Sequence, residues 1–358
     1  MVRKTFLAAL GISALLGSLV VGCKPESAPA GGSGGAGASG ASAGKVRVVF
    51  IPKNMGNPYF DGIAKGMEET CKELGVEFTE TGPAQADATS QISYIKDEVQ
   101  RGASVICIAA NSVDALNATF DEVRAKGVKV VTVDADLTGN ESHRDAGVFA
   151  TDWDAQSAQM VDTVGKAINY EGKVAILSAT TDAPNQNYWI GKMKEVWKDP
   201  KYAKMPLVEV VYGDDKPEKS ATEMEGLLTK YPDLRGVLAP TTVGVSAAAK
   251  VAQQRGVYVG GPNAKGGGVV VFGLGIPNQM RNFIKEGVTP QIMLWSPVDM
   301  GTVAAHLCVA LAKGEVKAEK GAKFKVGKMG EREIVDLNKV IVGPPVIFTK
   351  DNVDQYQF

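Results

Sequence analysis

Along most of this chain, short runs of consecutive apolar residues alternate with longer stretches whose apolar residues recur at helical spacing. The runs at 46–51, 76–78, 105–109 and 128–133 are predominantly apolar, as buried strands of a parallel sheet are. Between them Ile63, Met67, Cys71 and Leu74, then Ile92, Ile95 and Val99, then Leu116, Phe120 and Val123 recur at helical spacing, which predicts amphipathic helices. A second series follows residue 151, with strand-like runs at 174–177, 207–211, 237–239 and 269–272 and helices around 189–196, 221–228 and 245–252. The expected fold is α/β: two doubly wound parallel-sheet lobes. Right-handed crossovers put the loops after each strand's carboxyl end along one edge of each sheet. If the two edges face each other, a ligand lies between them.

The N-terminus departs from this pattern. Arg3 and Lys4 precede an apolar run at 6–21 that is short for a permanent span and is interrupted by Gly11, Ser13, Gly17 and Ser18, as in an export signal. It closes on Val20-Val21-Gly22-Cys23, which resembles the lipobox of bacterial lipoproteins. Residues 1–22 are therefore expected to be a signal peptide and Cys23 the lipidated residue, the alternative being a cleaved leader with an incidental cysteine. Residues 23–44 hold almost only Gly, Ala, Ser and Pro after Glu26. Such a segment cannot bury enough apolar surface to offset its ordering, and as a flexible tether it reaches about 25 Å. The folded body is then expected in the periplasm or on the outer cell surface, touching a membrane only through the N-terminal lipid.

Charge and composition remove several functions. Acidic and basic residues nearly cancel, leaving a net charge of −1, and no basic stripe is present, which argues against nucleic acid as partner. Cys71, Cys107 and Cys308 stand singly in apolar segments without a Cys-x-x-Cys, so they read as small core residues. With only His143 and His306 in the chain, a histidine metal site is disfavoured. No nucleophile, base and orienting group cluster at a recognisable spacing, so no catalysis is expected. The loop after the first strand is not Gly-x-Gly-x-x-Gly, so the dinucleotide fingerprint is absent there. No cofactor is expected.

The residues that follow each strand are then the ones to touch a ligand. After the first come Lys53, Asn57, Tyr59 and Phe60, a cation, an amide and two rings that suit a polyhydroxylated molecule: amides bond hydroxyls and rings cover apolar C–H faces. Asn57-Pro58 also reads as a helix cap with a first-turn proline, and Phe60 as a core residue. Asn111, Ser112 and Asp114 follow the third strand, Asp134 and Asp136 the fourth. Each of those last two aspartates can orient hydroxyls or cap a turn. In the second series, 181–189 is dense in amides and includes Asn185 and Gln186, while Pro240 and Thr242 follow another strand. Trp295 stands at a strand end, where it closes over a sugar ring or fills a lobe interface. Six lysines between 313 and 328, interleaved with Glu315 and Glu319, read as a solvated connection or a face that greets a transporter or lipid.

Ile51-Pro52-Lys53 with Gly56-Asn57-Pro58-Tyr59-Phe60, Asn185-Gln186-Asn187-Tyr188-Trp189, Tyr212-Gly213-Asp214-Asp215, Ala239-Pro240-Thr241-Thr242, Gly273-Leu274-Gly275 and Leu294-Trp295 together resemble the sugar-binding proteins of ABC transporters. The similarity runs from about residue 45 to the C-terminus and is strongest to the rhamnose-binding branch, with autoinducer-2-binding proteins as near relatives. The resemblance implies a monomeric type I periplasmic binding protein with a three-crossing hinge. Its lobes would be 45–148 with 296–330, and 149–295 with 331–358. It implies ligand contacts from Lys53, Asn57, Tyr59, Phe60, Asn111 and Asp134 on one wall and Asn185, Gln186, Pro240 and Thr242 on the other, with Trp295 at the hinge edge. In the autoinducer-2 branch an aspartate stands where this chain has Asn185 and an alanine where it has Thr242, which tilts the expectation towards a neutral deoxyhexose. Delivery of the captured monosaccharide to an ABC permease and its ATPase follows, with no chemical conversion.

Overall fold

The computed structural model describes residues 45–358. The expected signal peptide (1–22), Cys23 and the tether (23–44) lie outside the described residues.

In the N-terminal lobe β1 (Arg47–Ile51), β2 (Glu77–Glu80), β3 (Val105–Ile108), β4 (Lys129–Val133) and β5 (Ala146–Phe149) form a parallel sheet in the order β5-β4-β3-β1-β2. Alternate residues of these strands enter different cores. Val48 and Phe50 of β1 join Val105 and Cys107 of β3 on one face. Val49 and Ile51 join Ile106 and Ile108 on the other. The first face is covered by α1 (Pro58–Glu73), the second by α2 (Ala88–Gln100) and α3 (Asn117–Ala125). Burial on both faces is why β1, β3 and β4 read as nearly continuous apolar runs rather than as alternations, whereas the edge strand β2 is only partly buried.

The C-terminal lobe repeats the plan. It comprises α4 (Trp153–Ala167), β6 (Lys173–Ser178), α5 (Pro184–Val196), β7 (Leu207–Tyr212), α6 (Pro217–Lys230), β8 (Leu234–Ala239), α7 (Thr242–Arg255), β9 (Val270–Gly273), α8 (Pro277–Lys285) and β10 (Gln291–Leu294). Its parallel sheet runs β7-β6-β8-β9, and a parallel bridge from Leu274 to Met293 places β10 beyond β9. The chain then returns to the first lobe through α9 (Pro297–Ala312), which packs along α1 and behind β3, β4 and β5.

After α9, β11 (Lys323–Lys325) and β12 (Glu331–Glu333) make a small antiparallel pair from the lysine-rich stretch. β13 (Lys339–Ile341) then pairs in parallel with β5 and extends the N-terminal sheet. Only β14 (Val346–Thr349) belongs to the second lobe, antiparallel to β10. The third crossing, expected near 330, therefore runs at 342–345, and residues 331–341 belong to the N-terminal lobe. The cause is a backbone ladder to β5, a strand too short and glycine-containing to register as an apolar run.

One helix crossing fixes where the cleft residues of the first lobe sit. Gly66 of α1 faces the backbone of Val298, and Gly301 of α9 faces that of Ile63; a methyl on Gly301 would strike the Ile63 carbonyl oxygen and come within 3.0 Å of the Met67 nitrogen. Gly301→Ala is expected to force the helices apart and lower stability by about 2 kcal/mol, the usual scale of overpacking. A urea midpoint equal to that of the unmodified protein would show that the crossing has slack.

Candidate functional site

The strand-end loops of the two lobes meet around a cavity of about 40 Å³, lined from the first lobe by Lys53, Asn57, Tyr59, Phe60 and Asp134 and from the second by Asn185, Gln186, Trp189, Asp215, Pro240, Thr241, Thr242, Leu274 and Leu294, with Trp295 at the crossing. One water needs roughly 10–15 Å³ on this scale, so the space holds about three.

The first loop is built around Lys53. Asn57 caps α1, its side-chain oxygen accepting the Tyr59 N–H at 3.1 Å, and Pro58 opens the first turn. Asn57 thus caps the helix and lines the cavity. Gln91 on α2 donates to the carbonyls of Pro52 (3.1 Å) and Ala109 (2.9 Å) and accepts the Asn111 N–H (3.0 Å), while the Asn111 amide donates to the Lys53 carbonyl (2.9 Å). Asn111, expected to bond ligand hydroxyls, is therefore turned to the backbone and is absent from the cavity wall. Its position after β3 is as expected; its amide is drawn to a buried carbonyl that would otherwise lack a donor.

Asp134 follows β4 with φ +66°, a left-handed conformation that aspartate tolerates better than most residues. Its Oδ1 accepts the Tyr59 hydroxyl at 2.8 Å and its Oδ2 accepts the Asn185 amide at 3.0 Å. The Lys53 ammonium lies 3.9 Å from Oδ2 and donates to Asn185 Oδ1 at 2.7 Å. Asn185 therefore answers an ammonium with its oxygen and a carboxylate with its nitrogen. An aspartate in its place would have no donor for Asp134 and would set two negative charges together.

The Trp295 indole N–H donates to the Tyr59 hydroxyl at 2.7 Å, so that hydroxyl's own proton points at Asp134. Burial, then the charge of Asp134, pushes the Tyr59 phenol well above its ordinary value and keeps it a donor. Trp295 also meets the rings of Tyr59 and Trp189 edge-on, each at 6.3 Å. It is both wall and lobe interface, the two readings its sequence left open.

Burial lowers the Lys53 pKa against the opposing charges of Asp134 and Asp215. Burial raises Asp134 despite the charge of Lys53 and the Tyr59 hydrogen bond. Asp136, two residues on, is turned away from the cavity into a buried bidentate pair with Arg144 at 2.6 and 2.7 Å, with the Thr132 hydroxyl on the same carboxylate at 2.6 Å. Of the two aspartates weighed, only Asp134 faces the cleft.

In the second lobe Asn185 and Gln186 occupy the first turn of α5, and Thr242 follows the Thr241 cap of α7. Gln186 Oε1 is engaged by the Ser178 hydroxyl and the Ala179 N–H, both at 2.7 Å. Sequence reasoning did not single out Trp189, Asp215, Leu274 or Leu294 as wall residues. Asp215 was visible only inside Tyr212-Gly213-Asp214-Asp215, which follows β7 by the same strand-end rule.

Comparison with known proteins agrees with this fold. Residues 48–316 match the periplasmic binding protein domain family. A sugar ABC transporter protein from Actinomyces odontolyticus is 40% identical, with 87% of this chain and 98% of that one covered and a TM-score of 0.68. An ABC transporter solute-binding protein from Clostridium phytofermentas, solved with bound L-rhamnose, is 30% identical over the same shares, with a TM-score of 0.82. LsrB from Clostridium saccharobutylicum, solved with AI-2, shares the fold at 24% identity, covering 87% of this chain and all of that one at a TM-score of 0.79. These relatives are solute-binding proteins, not enzymes, and the chain belongs to the periplasmic binding protein family, whose two-lobed α/β architecture and extracytoplasmic setting it shares.

Proposed function

We propose that the protein captures a neutral monosaccharide, a deoxyhexose of the L-rhamnose type, between its lobes and hands it to an ABC importer while tethered through lipidated Cys23. The observation that carries the reading is the cavity wall. Lys53 and Asp134 face Asn185 across it, and the rings of Tyr59, Phe60, Trp189 and Trp295 complete it. Ammonium, amide and carboxylate groups bond hydroxyls, and rings cover the C–H faces and methyl group of a deoxy sugar. The L-rhamnose complex at 30% identity supports the same choice. AI-2 or another pentose or hexose, taken up or sensed, is the second reading. Asn185 disfavours AI-2, because its amide already serves Asp134 and a neutral amide stabilises a strongly hydrated diol less than a carboxylate does.

A hexose exceeds the space of three waters, so entry requires the lobes to part and the Lys53–Asn185 contact to open. A ligand that then touches both lobes favours closure by its differential affinity for that state, and the importer reads the closed shape. A thermal-shift screen of L-rhamnose, D-allose, D-arabinose, xylitol and AI-2 tests the assignment. Ligand at a hundredfold excess over Kd adds about 2.7 kcal/mol to stability, so L-rhamnose is expected to raise Tm most. No shift with any of the five would remove the sugar reading.

Affinity is also expected to fall on acidification. Ionised Asp134 accepts hydrogen bonds at both oxygens, protonation turns one of them into a donor and removes the charge that strengthens the bonds, and burial holds its carboxyl above the ordinary range. The loss therefore begins at a pH above the usual carboxylate value of about 4. Calorimetric titrations that keep one affinity down to pH 4 would contradict this.

A further inference from the structure

The cavity wall formed by the second lobe carries one ionisable group among the described residues, Asp215. Several of its polar neighbours there are already engaged, while the Thr242 hydroxyl and the Gln186 amide N–H2 also remain open to a ligand. Asn185 serves Lys53 and Asp134, Gln186 Oε1 is held by Ser178 and Ala179, and the Thr241 hydroxyl donates to Asp215 Oδ1 at 2.5 Å. That bond is the only one to the Asp215 carboxylate among the described residues, and it leaves Oδ2 without a protein donor on a residue that lines both the cavity and the groove beside Asn54 and Pro217. The backbone goes to some length to present it: Asp214 and Asp215 both lie in the left-handed region, at φ +54° and +52°. Such a pair needs its surroundings to hold it wherever it occurs, and it recurs away from the cavity at Asn169–Tyr170 and Leu337–Asn338. Thr241, the cap of α7, supplies that hold.

We infer that Asp215 is a specificity-determining residue, accepting a hydrogen bond from a ligand hydroxyl on the side opposite Asp134. The sugar is then gripped by one carboxylate from each lobe, with the Lys53 ammonium between them. This rests on the sugar reading above and deepens it in two ways. A ligand that needs both carboxylates is fully bonded only when the lobes are together, which is the differential affinity that closure requires. Two carboxylates against one ammonium also make the pocket hostile to a sugar bearing a carboxylate or phosphate, so the ligand class narrows to uncharged polyols.

The test is calorimetric titration of the full chain and of Asp215→Asn with whichever of L-rhamnose, D-allose and D-arabinose binds the unmodified protein. Asparagine keeps the size, tolerates the left-handed backbone and retains an oxygen for Thr241. The variant is expected to fold with an unchanged urea midpoint and to bind at least tenfold more weakly. Analogues of that sugar lacking one hydroxyl each supply a readout that a purely structural role would not move. For one of them the loss in the unmodified protein should nearly vanish in Asp215→Asn, because hydroxyl and carboxylate form one bond. Equal affinity of the two proteins, or losses that simply add for every analogue, would overturn the inference and leave the sugar reading standing. If the unmodified protein binds none of the three sugars, the sugar reading falls and takes the inference with it.

Discussion

Asp134→Ala is expected to weaken binding of L-rhamnose by about a hundredfold, or roughly 3 kcal/mol, the scale of losing charge-assisted hydrogen bonds in a closed site. The substitution removes the acceptor of the Tyr59 hydroxyl and of the Asn185 amide, and the nearer counter-charge of a Lys53 that is 3% exposed. An ammonium left in that position without its partner costs stability as well, about 2 kcal/mol in the ligand-free protein. Alanine is also a poor occupant of φ +66°. Asp134→Asn separates the two effects. It keeps the shape and accepts the left-handed backbone, so most of the stability should return while affinity stays low. Calorimetry and urea denaturation on both variants measure this, and an Asp134→Ala protein that binds L-rhamnose as tightly as the unmodified chain would show that the ligand lies elsewhere.

Asp136→Ala should instead cost stability, about 3–5 kcal/mol, and leave the affinity of the folded molecules unchanged. The side chain of Arg144 is 0% exposed and holds both oxygens of Asp136, so the variant buries an unpaired guanidinium. Burial pushes the Asp136 carboxyl up, but the hydrogen bonds and charge of Arg144, with the Thr132 hydroxyl, outweigh it and hold the pKa below the ordinary value. A carboxyl with its folded pKa depressed stabilises in full above the unfolded value of about 3.9 and loses that contribution as pH falls through the folded one. Urea midpoints followed into that acid range should therefore fall more steeply for the unmodified protein than for Asp136→Ala. Parallel curves would mean that Arg144 and Asp136 contribute nothing as an ion pair.

The two aspartates also mark how far the sequence could be read. Both follow β4, and the strand-end rule puts both at the rim. The left-handed turn at Asp134 sends one carboxylate into the cleft and leaves the other to Arg144. Nothing in the local pattern distinguishes them, because the choice depends on partners brought in from other elements. Asn111 is off the cavity wall for the same reason, since its amide N–H2 is claimed by the carbonyl of Lys53, 58 residues away in sequence. Asp215 does not stand out in the sequence, because its loop has no amide cluster around it. Its role depends on Thr241 and on Lys53 across the cleft.

Periodicity determined four strands and three helices in each lobe, the two-lobed repetition and most of the loops from which a site had to come. It could do so because burial on one or both faces of an element is written into consecutive residues. Tertiary structure alone decided which lobe owns residues 331–341, how closely α1 and α9 approach, and which side chains face the ligand. Those outcomes rest on bonds between residues far apart in the chain, such as Lys53 to Asn185 across 132 positions. Such pairings leave no trace in local spacing, because their energy appears only once the backbone has brought the partners together.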